Sequence, residues 1–96
     1  MNLADIKTIL YTQLPFLRER YKVSKIGVFG SFVRNEQRMD SDIDILVDFE
    51  EKIDLFNLLD LEEYLVQLLG RKIDLVTRKT LKPHIGQRIL AEVETL

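Results

Sequence analysis

The strongest constraint on the fold is a pair of short apolar segments, Val23 to Phe29 and Asp42 to Phe49, joined by one brief polar connection. Both segments are rich in the β-branched and aromatic residues that are typical of buried strands. A parallel crossover needs about a dozen residues and usually a whole helix, and the polar segment from Phe32 to Asp40 offers neither. The pattern therefore predicts two neighbouring antiparallel strands.

The segment before this strand pair has helical periodicity. Apolar residues recur at three- and four-residue steps from Leu3 to Leu17, which predicts an amphipathic helix with one buried face. Pro15 lacks a backbone N–H and clashes with the preceding turn. We therefore expect Pro15 to kink this helix or to begin a second short helix that ends near Tyr21.

Three further elements are predicted after the strand pair. Residues 54–69 form a long amphipathic pattern, with Asp54 as the N-cap and Gly70 as the stop signal. A third strand is expected over Lys72 to Val76, and a turn from Thr80 to Pro83 leads into a last helix. The apolar stripe of that helix is expected to be core, with part of it a candidate partner or dimer face: Ile85, Ile89, Val93 and Leu96.

This order of elements predicts an α/β (α+β) fold, with a small mixed, mostly antiparallel three-stranded sheet packed with helices. The third strand is reached through the long helix. At 96 residues, and with no repeat or linker, the chain is predicted to form one domain, 1–96.

Composition excludes several kinds of site. The chain has no cysteine and one histidine, which excludes disulfides, thiolate nucleophiles and most zinc or iron–sulfur sites, so any catalysis must use carboxylates. The net charge of −2 argues against a nucleic-acid partner, since such domains are usually strongly basic. No apolar run approaches the ~18 residues of a membrane span and no secretion signal is present, so a cytoplasmic location is expected.

The acidic residues are concentrated in one part of the chain. Residues 40–63 contain ten acids and one base, and a solvated acidic surface accounts for most of them. Asp42 and Asp44 differ, because side chains alternate along a strand and these two stand on the same face near its start. Their mutual repulsion is unfavourable unless solvent or a cation neutralises it. The pair therefore predicts a cation site with oxygen ligands, which suits Mg²⁺.

Asp74 lies in the otherwise apolar third strand, an unusual place for an acid in a small core. One interpretation is a salt bridge at the strand end. The other is a third metal ligand and general base, because three acids on neighbouring strands suit two cations ~4 Å apart, one activating an attacking oxygen and one anchoring phosphates. A triphosphate would complete such a Mg²⁺ shell.

Gly30 and Ser31 end the first strand and open a short helical segment, Ser31 to Asn35. Glycine permits unusual backbone angles and close approach of a ligand, and helix-start N–H groups together with a serine hydroxyl suit phosphate oxygens. Arg34, one turn later, is a candidate for the same phosphates. The alternatives are an ordinary turn with Ser31 as N-cap and, for Arg34, surface charge.

Together these residues resemble the signature of the nucleotidyltransferase superfamily that includes DNA polymerase beta: Gly-Ser, a spacer, Asp-x-Asp and a later third Asp. The matching stretches are GVFGSFVRNEQRMDSDIDILVDF and KIDLV. The closest likeness is to the minimal nucleotidyltransferases, called MNT proteins, and it covers essentially the whole chain. Where many relatives have Ala-Arg-Gly, this chain has Val33-Arg34-Asn35, which keeps the arginine and replaces the glycine.

The resemblance implies a polymerase beta-like fold and assigns roles to individual residues. Gly30 and Ser31 would bind the nucleotide triphosphate, beside Arg34. The acids that would act in catalysis and bind Mg²⁺, expected as two ions, are Asp42, Asp44 and Asp74.

MNT proteins are commonly paired with a HEPN-domain toxin. The resemblance therefore implies an antitoxin that transfers AMP from ATP to a tyrosine of a HEPN toxin encoded by an adjacent gene. Two alternatives stay open: a nucleotidyltransferase that acts on a small molecule or RNA, and a non-catalytic binding module that masks a partner by contact alone. The intact acids and the Gly-Ser pair favour catalysis, and the absence of an added acceptor-binding domain favours a protein acceptor.

Overall fold

The computed structural model describes residues 1–96, as four α-helices and four strands. No helix combines the length and the apolar character that crossing a membrane requires. A 3₁₀ turn, Arg78–Thr80, follows β3. The elements in chain order are α1 Leu3–Tyr21, β1 Val23–Phe29, α2 Ser31–Arg34, β2 Ile43–Phe49, α3 Leu55–Leu69, β3 Ile73–Thr77, α4 Pro83–Glu92 and β4 Glu94–Thr95.

One sheet organises these elements, with the strand order β3-β2-β1-β4. β1 and β2 are antiparallel, as their short connection predicted, and β2 and β3 are parallel and joined by the α3 crossover. The α/β class and the mixed, mostly antiparallel sheet are therefore confirmed. The predicted number of three strands was wrong, because β4 adds a fourth strand at the other edge of β1.

β4 replaces the end of the predicted last helix. α4 stops at Glu92, and Glu94–Thr95 pairs with β1 around Gly27. Two residues are too few to show the alternation that identifies a strand in a sequence. The close approach depends on the missing side chain of Gly27, since a Cβ there would lie 2.7 Å from Val93 Cγ2 and 2.9 Å from the Glu94 carbonyl oxygen.

The apolar stripe predicted for the last helix is divided between several environments. Ile85 is 58% exposed, so its assignment to the core was wrong. Ile89 and Val93 are half-buried, and Leu96 packs against the core after β4. Association of copies through this surface stays a prediction.

α1 continues through Pro15, so the predicted second helix does not form. Asn2 and Asp5 make a capping box at its start, and Lys22 ends it in the left-handed conformation. Pro15 has no N–H to donate to the carbonyl group of Tyr11. Both residues lie on the exposed side of the helix, so water can hydrogen-bond to that carbonyl. Burial of the opposite face offsets the cost of the proline.

The ends of α3 agree with the sequence prediction. Asp54 is the N-cap and accepts a hydrogen bond of 2.8 Å from the N–H of Asn57. Gly70 closes the helix with φ of 67°, a conformation that glycine adopts without strain. The ends of α3 matter for the fold, because this helix is the crossover connection that makes β2 and β3 parallel neighbours.

The core lies on one face of the sheet, against α1 and α3. A cluster of 16 buried residues forms it, and no polar or charged residue is buried in the protein. In β2, Ile43, Ile45 and Val47 are fully buried. Asp44, between them in sequence, is only partly buried and stands on the opposite face, as alternation predicts.

We expect Gly27→Ala to lower the free energy of unfolding by about 1–3 kcal/mol, because the added methyl group collides with the chain leading into β4. The N–H of Leu96, which donates to the carbonyl of Ile26, should then exchange faster with solvent. Urea unfolding and amide hydrogen exchange measure the two effects. Ser24→Ala in the same strand is the control, and equal stability of the two variants would contradict the role given to Gly27.

Candidate active site

The strand register brings two of the predicted acids side by side. Asp44 of β2 lies opposite Asp74 in the parallel β2–β3 pair, and opposite Phe29 in the antiparallel β1–β2 pair. Asp42 comes just before β2, and it lies near enough for its charge to raise the pKa of Asp44. The three acids therefore lie at one edge of the sheet, where β1 ends and β2 and β3 begin.

Gly30 allows the end of β1 to lie directly against Asp44. Its φ of 78° is a conformation that other residues rarely adopt, and a Cβ at this position would collide with Asp44 Oδ2. A side chain here would therefore strain the backbone and displace the carboxylate. The close approach that the sequence predicted for a ligand is made, in this structure, by a carboxylate of the protein itself.

Asp44 has a perturbed carboxyl group, whose pKa is raised from its ordinary 3.8 to about 6. Partial burial is the largest cause, followed by the charge of Asp74, a hydrogen bond with Asp74 and the charge of Asp42, while Arg34 acts in the opposite direction. The Asp44 carboxyl group thus gives up its proton closer to neutral pH than an ordinary aspartate does.

Asp74 makes no salt bridge. Its side chain is exposed, and it takes part in none of the ion pairs of the protein. The salt-bridge interpretation of this strand acid is therefore not supported. Asp74 instead combines contact with Asp44 on one side with access to solvent on the other, which suits a group that exchanges a proton with a bound molecule.

The three acids have the ligand chemistry of Mg²⁺, although no group of three acidic or histidine side chains is arranged closely enough to hold an ion alone. Mg²⁺ usually takes one or two carboxylates from a protein and completes its shell with water and substrate phosphates. Asp42 and Asp44, whose charges lie close together, meet that requirement. Burial contributes most to the raised pKa of Asp44, and the negative charges of Asp74 and Asp42, which a cation would neutralise, add to it. Ligation by all three acids stays a prediction.

Ser31 is the first residue of α2 and Gly30 is its N-cap, so Ser31 does not cap this helix. No side-chain hydrogen bond is made at the helix start, which leaves the Ser31 hydroxyl available. Asn35 ends α2 with φ of 59° and ψ of 37°, the left-handed conformation in which asparagine is the usual substitute for glycine. The replacement of the relatives' glycine by Asn35 is therefore accommodated without changing the turn.

Arg34 lies at the edge of the site, held by two carboxylates. Its Nε donates to Glu36 at 2.6 Å, and its Nη1 donates to both oxygens of Glu92 at 2.9 and 3.0 Å. These two hydrogen-bonded carboxylates raise the pKa of Arg34, Glu36 contributing most. The predicted phosphate-binding arginine is thus close to Asp44 and carries a fixed positive charge.

Glu92, at the end of α4, is a site residue that sequence reasoning missed. Besides its contact with Arg34, it accepts a hydrogen bond of 2.5 Å from the backbone N–H of Gly30. The contact joins residues 62 positions apart, and no local pattern distinguishes Glu92 from other helical acids. Only the path of α4 back to the sheet brings it to the site.

α4 also forms one wall of a groove beside the acids. Phe29, Ile85 and Ile89 line both parts of this groove; one part contains Asp44 with Arg88, and the other contains Asp74 with Lys82. Apolar walls with a cationic rim next to carboxylates suit a ligand that has a flat apolar part and an anionic part.

Two more prominent clefts lie at the opposite end of β2, around Lys52 and Asp54. They do not include any of the acids at positions 42, 44 and 74. We therefore place the candidate active site in the groove along α4, because it contains Asp44 and Asp74.

Comparisons with known proteins agree with the motif. A family described as the nucleotidyltransferase domain matches residues 10–94. The chain is similar to the protein adenylyltransferase MntA of Thermococcus cleftensis, with 50% identity over 93 residues, 97% of this chain and 94% of that protein.

Two solved structures share the fold. A minimal nucleotidyltransferase superposes with a TM-score of 0.78 and 35% identity, over 100% of this chain and 97% of that chain. A toxin–antitoxin structure with AMP-PNP superposes with a TM-score of 0.71 and 25% identity, over 99% of this chain and 72% of that chain.

We expect the free energy of unfolding of the metal-free protein to fall as the pH rises from about 4 to about 6. Folding raises the pKa of Asp44 to about 6, so the folded state binds this proton more tightly and loses that advantage once the carboxyl ionises. The loss should be on the order of 1–2 kcal/mol, because solvent screens a group this exposed.

Urea unfolding at a series of pH values measures this fall. Asp44→Asn should remove it, whereas Asp48→Asn, in the same strand, should keep it. An unchanged pH dependence in Asp44→Asn would contradict the assignment of the raised pKa.

Proposed function

Because the chain belongs to the nucleotidyltransferase domain family and is a nucleotidyltransferase, we propose that it transfers AMP from ATP to a tyrosine of a HEPN-domain toxin. In this proposal the toxin is encoded by an adjacent gene, and its modification makes the present chain an antitoxin. The observation that carries the proposal is the register of Asp44 with Asp74, next to Gly30.

Different relatives support the proposed acceptor and the proposed nucleotide donor. The relative from Thermococcus cleftensis is named a protein adenylyltransferase, which favours a protein as acceptor and an adenine nucleotide as donor. The toxin–antitoxin structure contains AMP-PNP, an analogue of ATP. A HEPN toxin is the partner that the resemblance to MNT proteins implies.

The donor would bind along the groove between the sheet edge and α4. Ile85 and Ile89 offer apolar contact for the adenine ring. Ser31 and Arg34 would contact the phosphates, since the serine hydroxyl is unused and the arginine is positively charged. Asp42 and Asp44, with Asp74, are the residues that would hold Mg²⁺, which when bound neutralises charge on the phosphates.

In the proposed reaction, the tyrosine oxygen forms a bond to the α-phosphorus of ATP. The bond between that phosphorus and the bridging oxygen breaks, and pyrophosphate leaves with the electron pair. Asp74 accepts the tyrosine proton, because it is exposed to an incoming acceptor and in contact with Asp44.

The direct test is transfer of label from α-labelled ATP to the adjacent gene product in the presence of Mg²⁺. We expect the toxin to be labelled on tyrosine, with loss of label by at least about a hundredfold in the double variant Asp42→Asn and Asp44→Asn, since both metal-binding carboxylates are removed. Mass spectrometry identifies the modified residue.

The matched control changes two exposed acids that flank β2, Asp40→Asn and Glu50→Gln, and removes the same charge. This control should label the toxin as the wild type does. Absence of label with the wild-type chain, or its persistence in the Asp42→Asn and Asp44→Asn variant, would overturn the proposal. Neutralisation of the toxin by that variant would instead favour a masking module that acts by contact.

We also expect millimolar Mg²⁺ to raise the melting temperature by a few degrees above about pH 7, and by much less below about pH 5. The reason is that the cation binds ionised carboxylates, and Asp44 is protonated in the acidic range. Scanning calorimetry measures the shift, with sodium chloride of equal ionic strength as control. An equal shift in the Asp42→Asn and Asp44→Asn variant would place the ion elsewhere.

A further inference from the structure

Glu92 lies at the junction between α4 and β4. It is the last residue of α4, and the chain immediately after it enters β4. The N–H of Leu96 donates to the carbonyl of Ile26, and Lys7 forms an ion pair of 3.0 Å with Glu94. The backbone on the C-terminal side of Glu92 is therefore tied to β1 and to α1, which limits where its carboxylate can reach.

The Glu92 carboxylate is hydrogen-bonded at both ends of α2, the short helix that follows β1. One oxygen accepts from the N–H of Gly30, and both oxygens accept from Nη1 of Arg34. The side chain is only 25% exposed, so these charge-assisted hydrogen bonds are partly shielded from water. The carboxylate thus links the start of α2 to its end.

Arg34 is left with an unused pair of donors. Nε is taken by Glu36 and Nη1 by Glu92, whereas Nη2 makes no hydrogen bond within the protein. A guanidinium held along two of its edges has lost most of its rotational freedom before a ligand arrives, which lowers the entropic cost of binding. The free Nη2 donors are the part available to a phosphate.

We propose that Glu92 is a positioning residue for nucleotide binding. It holds the Arg34 guanidinium and the Gly30 turn in the arrangement that receives the triphosphate, and it does not contact the nucleotide. This inference rests on the proposed function, because it takes the ligand to be the triphosphate of the nucleotide donor. It gives the C-terminal segment a role in the site as well as in the sheet.

The same hydrogen bonds allow a second explanation of the role of Glu92. Glu92 uses an N–H and a guanidinium, two donors that phosphate oxygens also bind, so a carboxylate in this place can act as an occupant that a nucleotide must displace. The two explanations predict opposite effects when the charge is removed. Loss of a positioning residue weakens nucleotide binding, whereas loss of a competing occupant strengthens it.

The test is the affinity of the whole chain for AMP-PNP with Mg²⁺, measured by calorimetry for Glu92→Gln. We expect the dissociation constant to rise about tenfold, as is typical when a group that orients a ligand-binding residue is removed. In an Arg34→Ala background the same substitution should raise the constant by no more than about twofold, since the guanidinium is gone and only the contact with the Gly30 N–H is left to lose. Glu92→Asp should recover part of the affinity.

Glu50→Gln is the control, because it removes an exposed glutamate carboxylate at the opposite end of β2 from the site. It should leave AMP-PNP binding unchanged. Thermal unfolding of each variant separates a loss of fold from a loss of affinity. If Glu92→Gln unfolds early, the comparison within the Arg34→Ala background and the recovery in Glu92→Asp still decide the question.

Tighter binding by Glu92→Gln, unchanged binding, or an equal loss with and without Arg34 would each overturn the inference. AMP-PNP binding that depends on Glu92, without transfer of AMP to a toxin, would leave the inference intact and overturn only the proposed function. Absence of nucleotide binding by the wild-type chain would overturn both.

Discussion

The site depends on one unfavourable interaction, the contact between the carboxyl groups of Asp44 and Asp74 on adjacent strands. Parallel pairing of β2 and β3 puts the two residues in register, and Gly30 leaves room for Asp44 by having no side chain. Partial burial, and then repulsion from Asp74, raise the pKa of Asp44. A site with this much uncompensated charge is suited to a cation and to a proton acceptor, which are what phosphoryl chemistry requires.

Burial of the apolar face of the same sheet offsets the unfavourable free energy of this carboxylate pair. Ile43, Ile45 and Val47 alternate with the acids and are fully buried against α1 and α3. Their burial holds β2 in one register, since a shift by one residue would expose them and bury the acids instead. The geometry of the carboxylates therefore follows from the packing on the opposite side of the strand.

The C-terminal segment completes the site from the edge of the sheet. α4 provides a partly apolar wall beside the acids, and its last residue, Glu92, binds the turn at Gly30 and Arg34. β4 ties this segment to β1, and that pairing is close only because Gly27 lacks a side chain. Two glycines thus serve different purposes: Gly27, within β1, admits a neighbouring strand, and Gly30, just after β1, admits a carboxylate.

By itself the sequence determined the strand pair, the crossover helix with its caps and the placement of the acids on one strand face, because those features depend on local periodicity. The tertiary structure alone decided the fourth strand, the continuous path of α1 through Pro15 and the exposure of Ile85. It also decided the role of Glu92, whose partners lie 58 and 62 positions away. Contacts between residues so distant in sequence leave no local pattern, since they depend on how whole elements pack.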